Sequence, residues 1–369
     1  MKFLVITNAP TLKEDNCYKA YAPYVAEMDI WSEKVDCFKI ISPTKYSHPL
    51  LVSAFKNQPI VESIPSLNFT NISLACRSFI SLPIIIYKLF VGMLWADHIH
   101  LRCPGNIGLL GCLVQVFFPK KTKTVKYAGN WDPKSKQPLS YRFQKWLLSS
   151  TFLTKNMQVL VYGKWQNQTK NIKPFFTASF KSSEIEILSD RDYSDTLNFV
   201  FVGSLVKGKR PLLAIKIVEK LHQAGKNVSL TLYGDGVLRN QLEDYIVKNK
   251  LESVIVLKGN QKKEVIKKAI KIAHFLILAS KSEGWPKAIA EAMFFGCIPM
   301  ATSISCVPYM LDYGKRGLLI EPELYHAVNE INSLLNKSEN LKQMSKLASN
   351  WSQKYTLNVF EAEIVKLLK

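Results

Sequence analysis

Two glutamates, Glu283 and Glu291, stand eight positions apart near the C-terminal end of the chain. The apolar run at residues 274–279 before them predicts a buried strand of a parallel sheet. Residues 287–295 predict the helix that follows, because Pro286 is tolerated near a first helical turn. Glu283 would then lie in the loop at the carboxyl end of a strand, where open α/β sheets bind ligands, and Glu291 would lie about two turns into the helix.

The segment between the two glutamates suits an anion. Its loop residues Gly284, Trp285 and Pro286 lead to a helix start at Lys287 and Ala288, where backbone amides are free to donate. A carboxylate on each side suits hydroxyl groups, such as those of a ribose and a sugar. We therefore expect a sugar nucleotide here. The alternative is an ordinary strand–loop–helix unit with two solvated carboxylates.

This stretch resembles the E-x7-E signature of retaining glycosyltransferases with the GT-B fold, family 4 type, also called glycosyltransferase group 1. The resemblance implies an α/β protein of two Rossmann-like domains with parallel sheets facing a central cleft. It also implies a C-terminal helix that returns to the N-terminal domain. In this scheme Glu283 holds and orients the donor sugar, and Glu291 holds the ribose hydroxyls.

A second motif begins at Gly203, after another predicted strand. The run Gly-Ser-Leu-Val-Lys-Gly-Lys-Arg resembles the family's Gly-Arg-Leu-x-x-x-Lys-Gly loop, whose Arg and Lys neutralise the donor diphosphate. Lys209 falls on the family's Lys, but Ser204 stands where the family usually has Arg. Because that Arg is a bidentate phosphate ligand, Lys207 or Arg210 would have to compensate. The alternative is a charged solvent loop.

Two further motifs follow in the family's order. Gly234-Asp235-Gly236 resembles its Gly-x-Gly turn, where glycines let the backbone approach the ligand closely. The turn is no dinucleotide fingerprint, because Arg239 stands where that fingerprint needs glycine. At 305–309, Ser-Cys-Val-Pro-Tyr replaces the family's Gly-Gly-Val-Pro-Glu, a departure at the donor site. The resemblance covers residues 199–322.

The first half resembles the family more loosely. Five residues follow predicted strands and are candidates for the acceptor side or for catalysis: Arg102, Asn106, Gly129, Asn130 and Asp132. Many relatives carry a histidine where Gly129-Asn130 stands, so Asn130 and Asp132 join Glu283 and Lys209 as catalytic candidates; the alternative is that they are turn or cap residues. His98 and His100 alternate on a buried strand and are interpreted as structural. By analogy with the family no metal is required, and we expect no cofactor.

Composition predicts a globular protein of two α/β domains. The predicted bounds are 1–188 for the acceptor domain, 197–348 for the donor domain and 349–369 for the returning helix, with the polar stretch 188–196 as linker. Seven cysteines without a CxxC pair are expected to be reduced core residues. The first apolar run is expected to be a β-strand and not a signal peptide.

The formal net charge is +20, and residues 119–183 hold thirteen Lys or Arg against the single acid Asp132. A solvated basic face is one explanation. A surface for anionic lipid is the other, favoured over nucleic acid because no RNP-type, zinc-finger or basic-zipper pattern accompanies the charge. Residues 79–95 are apolar but interrupted by Pro83 and Lys88, which favours a core helix over a membrane-dipping segment.

The sequence thus predicts a retaining, metal-independent glycosyltransferase that uses a nucleoside diphosphate sugar, UDP- more than GDP-linked. The expected acceptor is a saccharide, lipid-linked, in capsule, lipopolysaccharide or exopolysaccharide synthesis. The expected location is cytoplasmic and peripheral on the inner membrane face. Two rivals stay open: a sugar-nucleotide epimerase or hydrolase of the same fold, and a non-catalytic basic protein that binds membrane or nucleic acid.

Overall fold

The computed structural model describes residues 1–46, 51–188 and 191–369. The chain divides into two compact units: a first unit of Met1–Phe175 with Glu361–Lys369, and a second unit of Phe176–Phe360. The predicted linker 188–196 falls within the second unit, and two of its residues, Ser189 and Asp190, lie outside the described residues.

The first unit holds a parallel sheet of seven strands and a small antiparallel sheet. Its strands are β1 (Lys2–Ile6), β2 (Leu12–Glu14), β3 (Cys17–Tyr21), β4 (Cys37–Ser42), β5 (Val52–Ala54), β6 (Ile60–Ser63), β7 (His98–Cys103), β8 (Thr122–Tyr127), β9 (Met157–Tyr162) and β10 (Ile172–Phe175). Its helices are α1 (Ala22–Ser32), α2 (Ile72–Trp95), α3 (Asn106–Val114) and α4 (Leu139–Ser149). The parallel sheet runs β10-β9-β8-β7-β1-β4-β6, and β2-β3-β5 forms the other.

The central strand β1 is buried on both faces, since Phe3, Leu4, Val5 and Ile6 are all fully enclosed. Such continuous apolar runs are typical of parallel strands covered by helices on each side. Helices α2, α3 and α4 cover one face of this sheet. Their buried side chains form a single core with the strand residues that point to that face.

The other face of this sheet holds the two strand histidines. His98 and His100 are buried, as predicted, and each ring bonds the Thr124 hydroxyl at 2.8 Å. The His100 ring also lies 4.7 Å from that of Trp31. Burial lowers the pKa of His98 to about 4, so both rings serve the core as neutral imidazoles.

The second unit is a doubly wound sheet with strand order β13-β12-β11-β14-β15-β16, all parallel. Its strands are β11 (Leu197–Val202), β12 (Val228–Tyr233), β13 (Ile255–Leu257), β14 (Phe275–Leu278), β15 (Ile298–Thr302) and β16 (Leu318–Ile320). Its helices are α5 (Pro211–Gln223), α6 (Arg239–Lys248), α7 (Lys263–Ile272), α8 (Lys287–Phe294), α9 (Val307–Met310), α10 (Leu324–Leu335) and α11 (Ser338–Ser352). The last helix, α12 (Leu357–Leu368), begins in the second unit and ends in the first.

Two predictions about the first unit need correction. The segment 79–95 belongs to α2, which packs only one of its sides into the core, since 28% of its most apolar stretch is buried. The basic segment 119–183 is not all surface either. Lys123 and Lys126 are buried, and the Lys123 ammonium donates to the side chain of Gln115 and the carbonyl of Phe118, both at 2.9 Å.

The cysteines are free thiols, as predicted. Four of them are buried: Cys103, Cys112, Cys297 and Cys306. The prediction that all are core residues is wrong for Cys76, which is exposed on α2, while Cys17 and Cys37 are half-buried.

Candidate functional site

The candidate site of the second unit lies where its strand order reverses. Strand β11 leads outward to β12 and β13 on one side, and β14 leads to β15 and β16 on the other. The loops that follow β11 and β14 therefore leave the sheet side by side at a topological switch point, where doubly wound sheets bind ligands. Two bonds tie these loops together: Lys281 N donates to Gly208 O at 2.8 Å, and Arg210 donates to Ala279 O at 3.2 Å.

Lys209 and Glu283 form an ion pair across this switch point. The Glu283 side chain is only 9% exposed, whereas the Lys209 side chain is 28% exposed. The carboxylate is thus held at the base of the site, and the ammonium remains accessible to an anion. A pair that excludes water in this way interacts more strongly than one on an open surface, because the local dielectric constant is lower.

Glu291 lies on α8, the helix that follows the Glu283 loop. The Ser179 hydroxyl donates to one of its carboxylate oxygens at 2.5 Å. Burial raises the pKa of Glu291, although Ser179 and the cations Lys287 and Lys263 act in the opposite direction. The carboxylate is therefore poorly solvated and would gain from hydroxyl donors supplied by a ligand.

The loop between the two glutamates has a rigid support that sequence reasoning missed. Trp285 is buried and stacks on Trp351 of α11, with ring centroids 6.1 Å apart. On the other side, the Gly284 carbonyl accepts from Cys306 Sγ at 3.1 Å and from Ser305 Oγ at 3.3 Å. The residues that replace the family's glycines at 305–309 thus hold this loop in place.

The Gly-Asp-Gly turn at 234–236 packs against the loop that follows β11. A Cβ on Gly234 would lie 2.0 Å from the Gly203 carbonyl oxygen, and one on Gly236 would lie 2.6 Å from that of Leu205. The two glycines therefore allow this turn to pack closely against the loop after β11. The sequence analysis had instead predicted that they allow the backbone to approach the ligand. Asp235 accepts from Gly236 N at 2.7 Å, which is the bond of a turn residue.

Ser204, in the loop after β11, is exposed, and its hydroxyl carries no positive charge for a phosphate as an Arg would. The two residues considered as replacements, Lys207 and Arg210, line a separate cavity of about 580 Å³ together with Lys281 and Glu323. Lys209 is thus the cation that this loop places against the Glu283 carboxylate.

The candidates of the first unit also lie where strands end. Arg102 forms an ion pair with Glu27 at 2.6 Å, and Asn106 donates to the Leu67 carbonyl at 3.3 Å. A Cβ on Gly129 would lie 2.9 Å from Pro104, so glycine allows this close packing.

Asn130 and Asp132 hold the turn after β8. The Asn130 side-chain oxygen accepts from Asp132 N at 2.9 Å, and Asp132 accepts from Lys134 N at 2.8 Å. These are the contacts of turn residues. Nearby strand ends enclose a cavity of about 420 Å³ that the sequence did not predict, lined by Asn8, Tyr21, Lys45, Tyr46, Ser66 and Asn68 among others.

Across residues 1–46, 51–188 and 191–369, no group of three or more His, Cys, Asp or Glu side chains is arranged to hold a metal ion. The charge available to a ligand at the switch point comes from side chains of the second unit, with Lys209 nearest to Glu283.

Part of the chain is similar to known glycosyltransferases. Residues 187–351 match the family described as Glycosyl transferases group 1. An uncharacterised glycosyltransferase of Methanocaldococcus jannaschii is 27% identical over 189 residues, 51% of each chain. The amylovoran biosynthesis glycosyltransferase AmsK of Erwinia amylovora is 30% identical over 129 residues, 33% of this chain and 32% of its own length. The chain thus matches at most about half the length of these curated relatives.

The fold comparison spans the whole chain. The crystal structure of the Anabaena protein HepE with UDP and glucose has a TM-score of 0.67 at 15% identity, and the match covers 100% of this chain and 99% of HepE. The fold is therefore GT-B, as predicted, and the match to the family described as Glycosyl transferases group 1 lies within the second unit.

Proposed function

We propose that the protein is a retaining glycosyltransferase that moves a sugar from a nucleoside diphosphate sugar to a hydroxyl of a saccharide. The observation that carries the proposal is the Lys209–Glu283 ion pair at the switch point of a glycosyltransferase group 1 domain. Glu291 stands on the helix that begins directly after the same loop.

Each of the three side chains has a role in this scheme. The Lys209 ammonium neutralises the donor diphosphate, on which negative charge develops as the bond to the anomeric carbon breaks. Glu283 then accepts from donor-sugar hydroxyls and orients the anomeric carbon. Glu291 accepts from the ribose hydroxyls, which supply the hydrogen bonds that its buried carboxylate lacks in water-poor surroundings.

The backbone completes the diphosphate site. Helix α8 begins at Lys287, and the amides of Lys287 and Ala288 have no acceptor within the helix, so they can donate to an anion. Together with Lys209 these donors stabilise the leaving group without a metal ion. The acceptor oxygen bonds to the anomeric carbon on the face that the diphosphate leaves, and its proton passes to the departing phosphate or to solvent.

UDP is the proposed donor nucleotide, because the structurally similar HepE binds UDP. Cell-surface polysaccharide synthesis is the proposed context, because AmsK acts in amylovoran biosynthesis. We further propose a lipid-linked saccharide as acceptor, bound on the side of Arg102, Asn106 and Asn130, and a cytoplasmic protein attached to the inner membrane face. The basic charge of the chain supports attachment to anionic lipid.

The test is release of nucleoside diphosphate from UDP-, GDP- and ADP-sugars, with and without a membrane lipid extract. Lipid-dependent release from one donor supports the transferase, and the anomeric configuration of the product, read by NMR, tests retention. Release that ignores the extract would favour the epimerase or hydrolase. Absence of turnover with all donors, together with salt-sensitive binding to polyanions, would favour the non-catalytic basic protein.

A further inference from the structure

Helix α2 is apolar on its outward side as well as on its inward side, but only the inward side is covered. Ile85, Leu89 and Met93 point inward and belong to the core beneath the sheet. On the outward side, Phe79, Ile80 and Tyr87 are exposed, and Ile80 is 80% exposed. A helix side that is strongly hydrophobic is normally buried in a protein core or in lipid. We therefore expect another apolar surface to cover the exposed side of α2.

The neighbouring helices extend this uncovered surface. Helix α2 contacts α3, and α3 contacts α4, so the three form one layer over the sheet. Phe117, just after α3, is 73% exposed, and Leu139 and Trp146 of α4 also face outward. We call Phe79, Ile80, Tyr87, Phe117, Leu139 and Trp146 the apolar face. Large exposed apolar side chains gathered on one layer of helices are typical of interaction sites in soluble domains.

The charged residues on the helices of the apolar face are all cations, and the nearby Glu62 pairs with Lys88 of α2 at 2.7 Å. Helices α2, α3 and α4 contain no Asp or Glu. Exposed cations stand on the same elements, including Arg77 on α2, Lys120 after α3 and Arg142 on α4. The Lys155 ammonium lies 5.4 Å from the centroid of the exposed Phe152 ring, which is a cation–π contact.

We propose that the apolar face is a membrane-docking surface that inserts into the headgroup region of a bilayer rich in anionic lipid. Exposed aromatic and aliphatic side chains enter the acyl boundary, and the surrounding cations meet the phosphates. Helix α2 lies in the membrane plane and does not cross it, because its inner side is part of the folded core. A second copy of the chain fits less well, since pairing two such faces would bring like charges together.

The proposal extends the function suggested above, because it names the surface that brings the enzyme to a lipid-linked acceptor. It also moves the predicted membrane contact from the basic segment 119–183 as a whole to a face led by α2. Membrane binding through this face needs no nucleotide sugar, so it can be tested with the donor site empty.

The experiment is flotation of the full-length protein with vesicles of phosphatidylcholine alone or mixed with phosphatidylglycerol. The double variant Ile80→Asp/Tyr87→Asp removes apolar contact and adds negative charge. We expect its partition onto anionic vesicles to fall by about ten-fold or more. The matched control is Ile272→Asp/Val247→Asp, which changes two exposed aliphatic side chains of the second unit and should partition like the wild type.

A second measurement is tryptophan fluorescence of the wild-type protein bound to vesicles. Brominated lipids should quench tryptophan fluorescence in the wild type, and Trp146→Phe should remove most of that quenching. The proposal is overturned if the double variant floats like the wild type, or if the wild type binds neither vesicle. It is also overturned if the chain without vesicles is a dimer that the double variant dissociates, since the apolar face would then join two copies.

Discussion

The smallest unit of function in this molecule is the pair of Lys209 and Glu283. Its two members come from different loops, 74 positions apart, and the pair forms because β11 and β14 are neighbours in the sheet. A ligand phosphate would compete with the Glu283 carboxylate for the Lys209 ammonium. The pair therefore holds the cation in place for the donor before the donor arrives.

Substitution of Lys209 by Met should show that the ion pair serves both catalysis and stability. We expect kcat/KM for the donor to fall by about 100-fold, because the leaving diphosphate loses a charge partner. Stability should also fall, since Glu283 is left buried without its cation. The double variant Lys209→Met/Glu283→Gln should regain stability but not activity.

Steady-state kinetics and thermal unfolding measure these effects. Lys220→Met is the control, since the Lys220 ammonium bonds the Gln223 side chain in the last turn of α5 and lies outside the site. Recovery of activity in the double variant would contradict the role given to Lys209.

Burial of His98 predicts how the stability of the protein depends on pH. Burial lowers the pKa of His98 to about 4, so the folded chain resists a proton that the unfolded chain accepts below about pH 6.5. The contribution of the neutral His98 ring to the free energy of unfolding is thus present above that pH and is lost as the pH falls toward 4. We expect a loss of about 2 kcal/mol from His98 between pH 7 and pH 5.

Denaturant titrations at several pH values measure this loss. His98→Gln should flatten the acid side of the profile even though it lowers stability at pH 7. His222→Gln, which changes an exposed histidine, should leave the profile unchanged. An unchanged acid loss in His98→Gln would show that another group titrates.

Some site residues could be predicted from sequence and others could not. Lys209, Glu283 and Glu291 each lie in a short motif next to a strand, so local patterns reveal them. Ser179 does not, because it reaches Glu291 across 112 positions of chain and belongs to no motif. The support of the Gly284 carbonyl by Cys306 was likewise invisible, because it depends on the packing of two separate loops.

At the scale of elements, the glycine turn after β12 fixes how closely two loops approach. Gly234 has φ of +135°, and a Cβ there would meet backbone at 2.0 Å. Backbone cannot move aside as a flexible side chain can. The position of the Lys209 loop thus depends on a residue with no side chain.

Replacement of Gly234 by Ala should therefore destabilise the second unit by about 3 kcal/mol or more and weaken donor binding. Gly225→Ala is the matched control: φ is +81° there, but nothing lies within 4 Å of the new Cβ. It should cost only about 1 kcal/mol of backbone strain. Chemical denaturation measures both variants, and equal losses would show that the close approach is unimportant.

The main strands of both parallel sheets were predictable because they are compact apolar runs between turn residues. Strands β2, β3 and β5 were not, because they are short and partly exposed, and Leu12–Glu14 is also charged. Helix α2 was predicted only in part. Its outward side is as apolar as its inward side, so the sequence could not tell a core helix from one with an uncovered face.

For the whole molecule, the main feature is the division into two units with separate cores. The length and composition of the sequence predicted two domains. The sequence could not place residues 176–180, whose aromatic side chains pack in the second unit: the Phe180 ring lies 5.0 Å from that of Phe294. Such contacts leave no local signal.

The division predicts how ligand binding affects unfolding. The diphosphate and ribose contacts proposed above all lie in the second unit, so UDP should raise one calorimetric transition and leave the other in place. At a concentration of about 100 times Kd the gain is about 2.7 kcal/mol, or roughly 5 °C or more. Gly234→Ala identifies the second unit's transition by lowering it. A UDP shift confined to the other transition would contradict this assignment.

The most direct test of the central claim is a calorimetric titration of UDP into the wild type and into Glu291→Gln. The account predicts that the wild type binds UDP and that the variant binds it about ten-fold or more weakly. The variant should be no less stable at pH 7.5, because the amide removes a carboxylate whose pKa is raised by burial and still accepts from Ser179. Equal affinity in the two proteins, or no binding of UDP by the wild type, would contradict it.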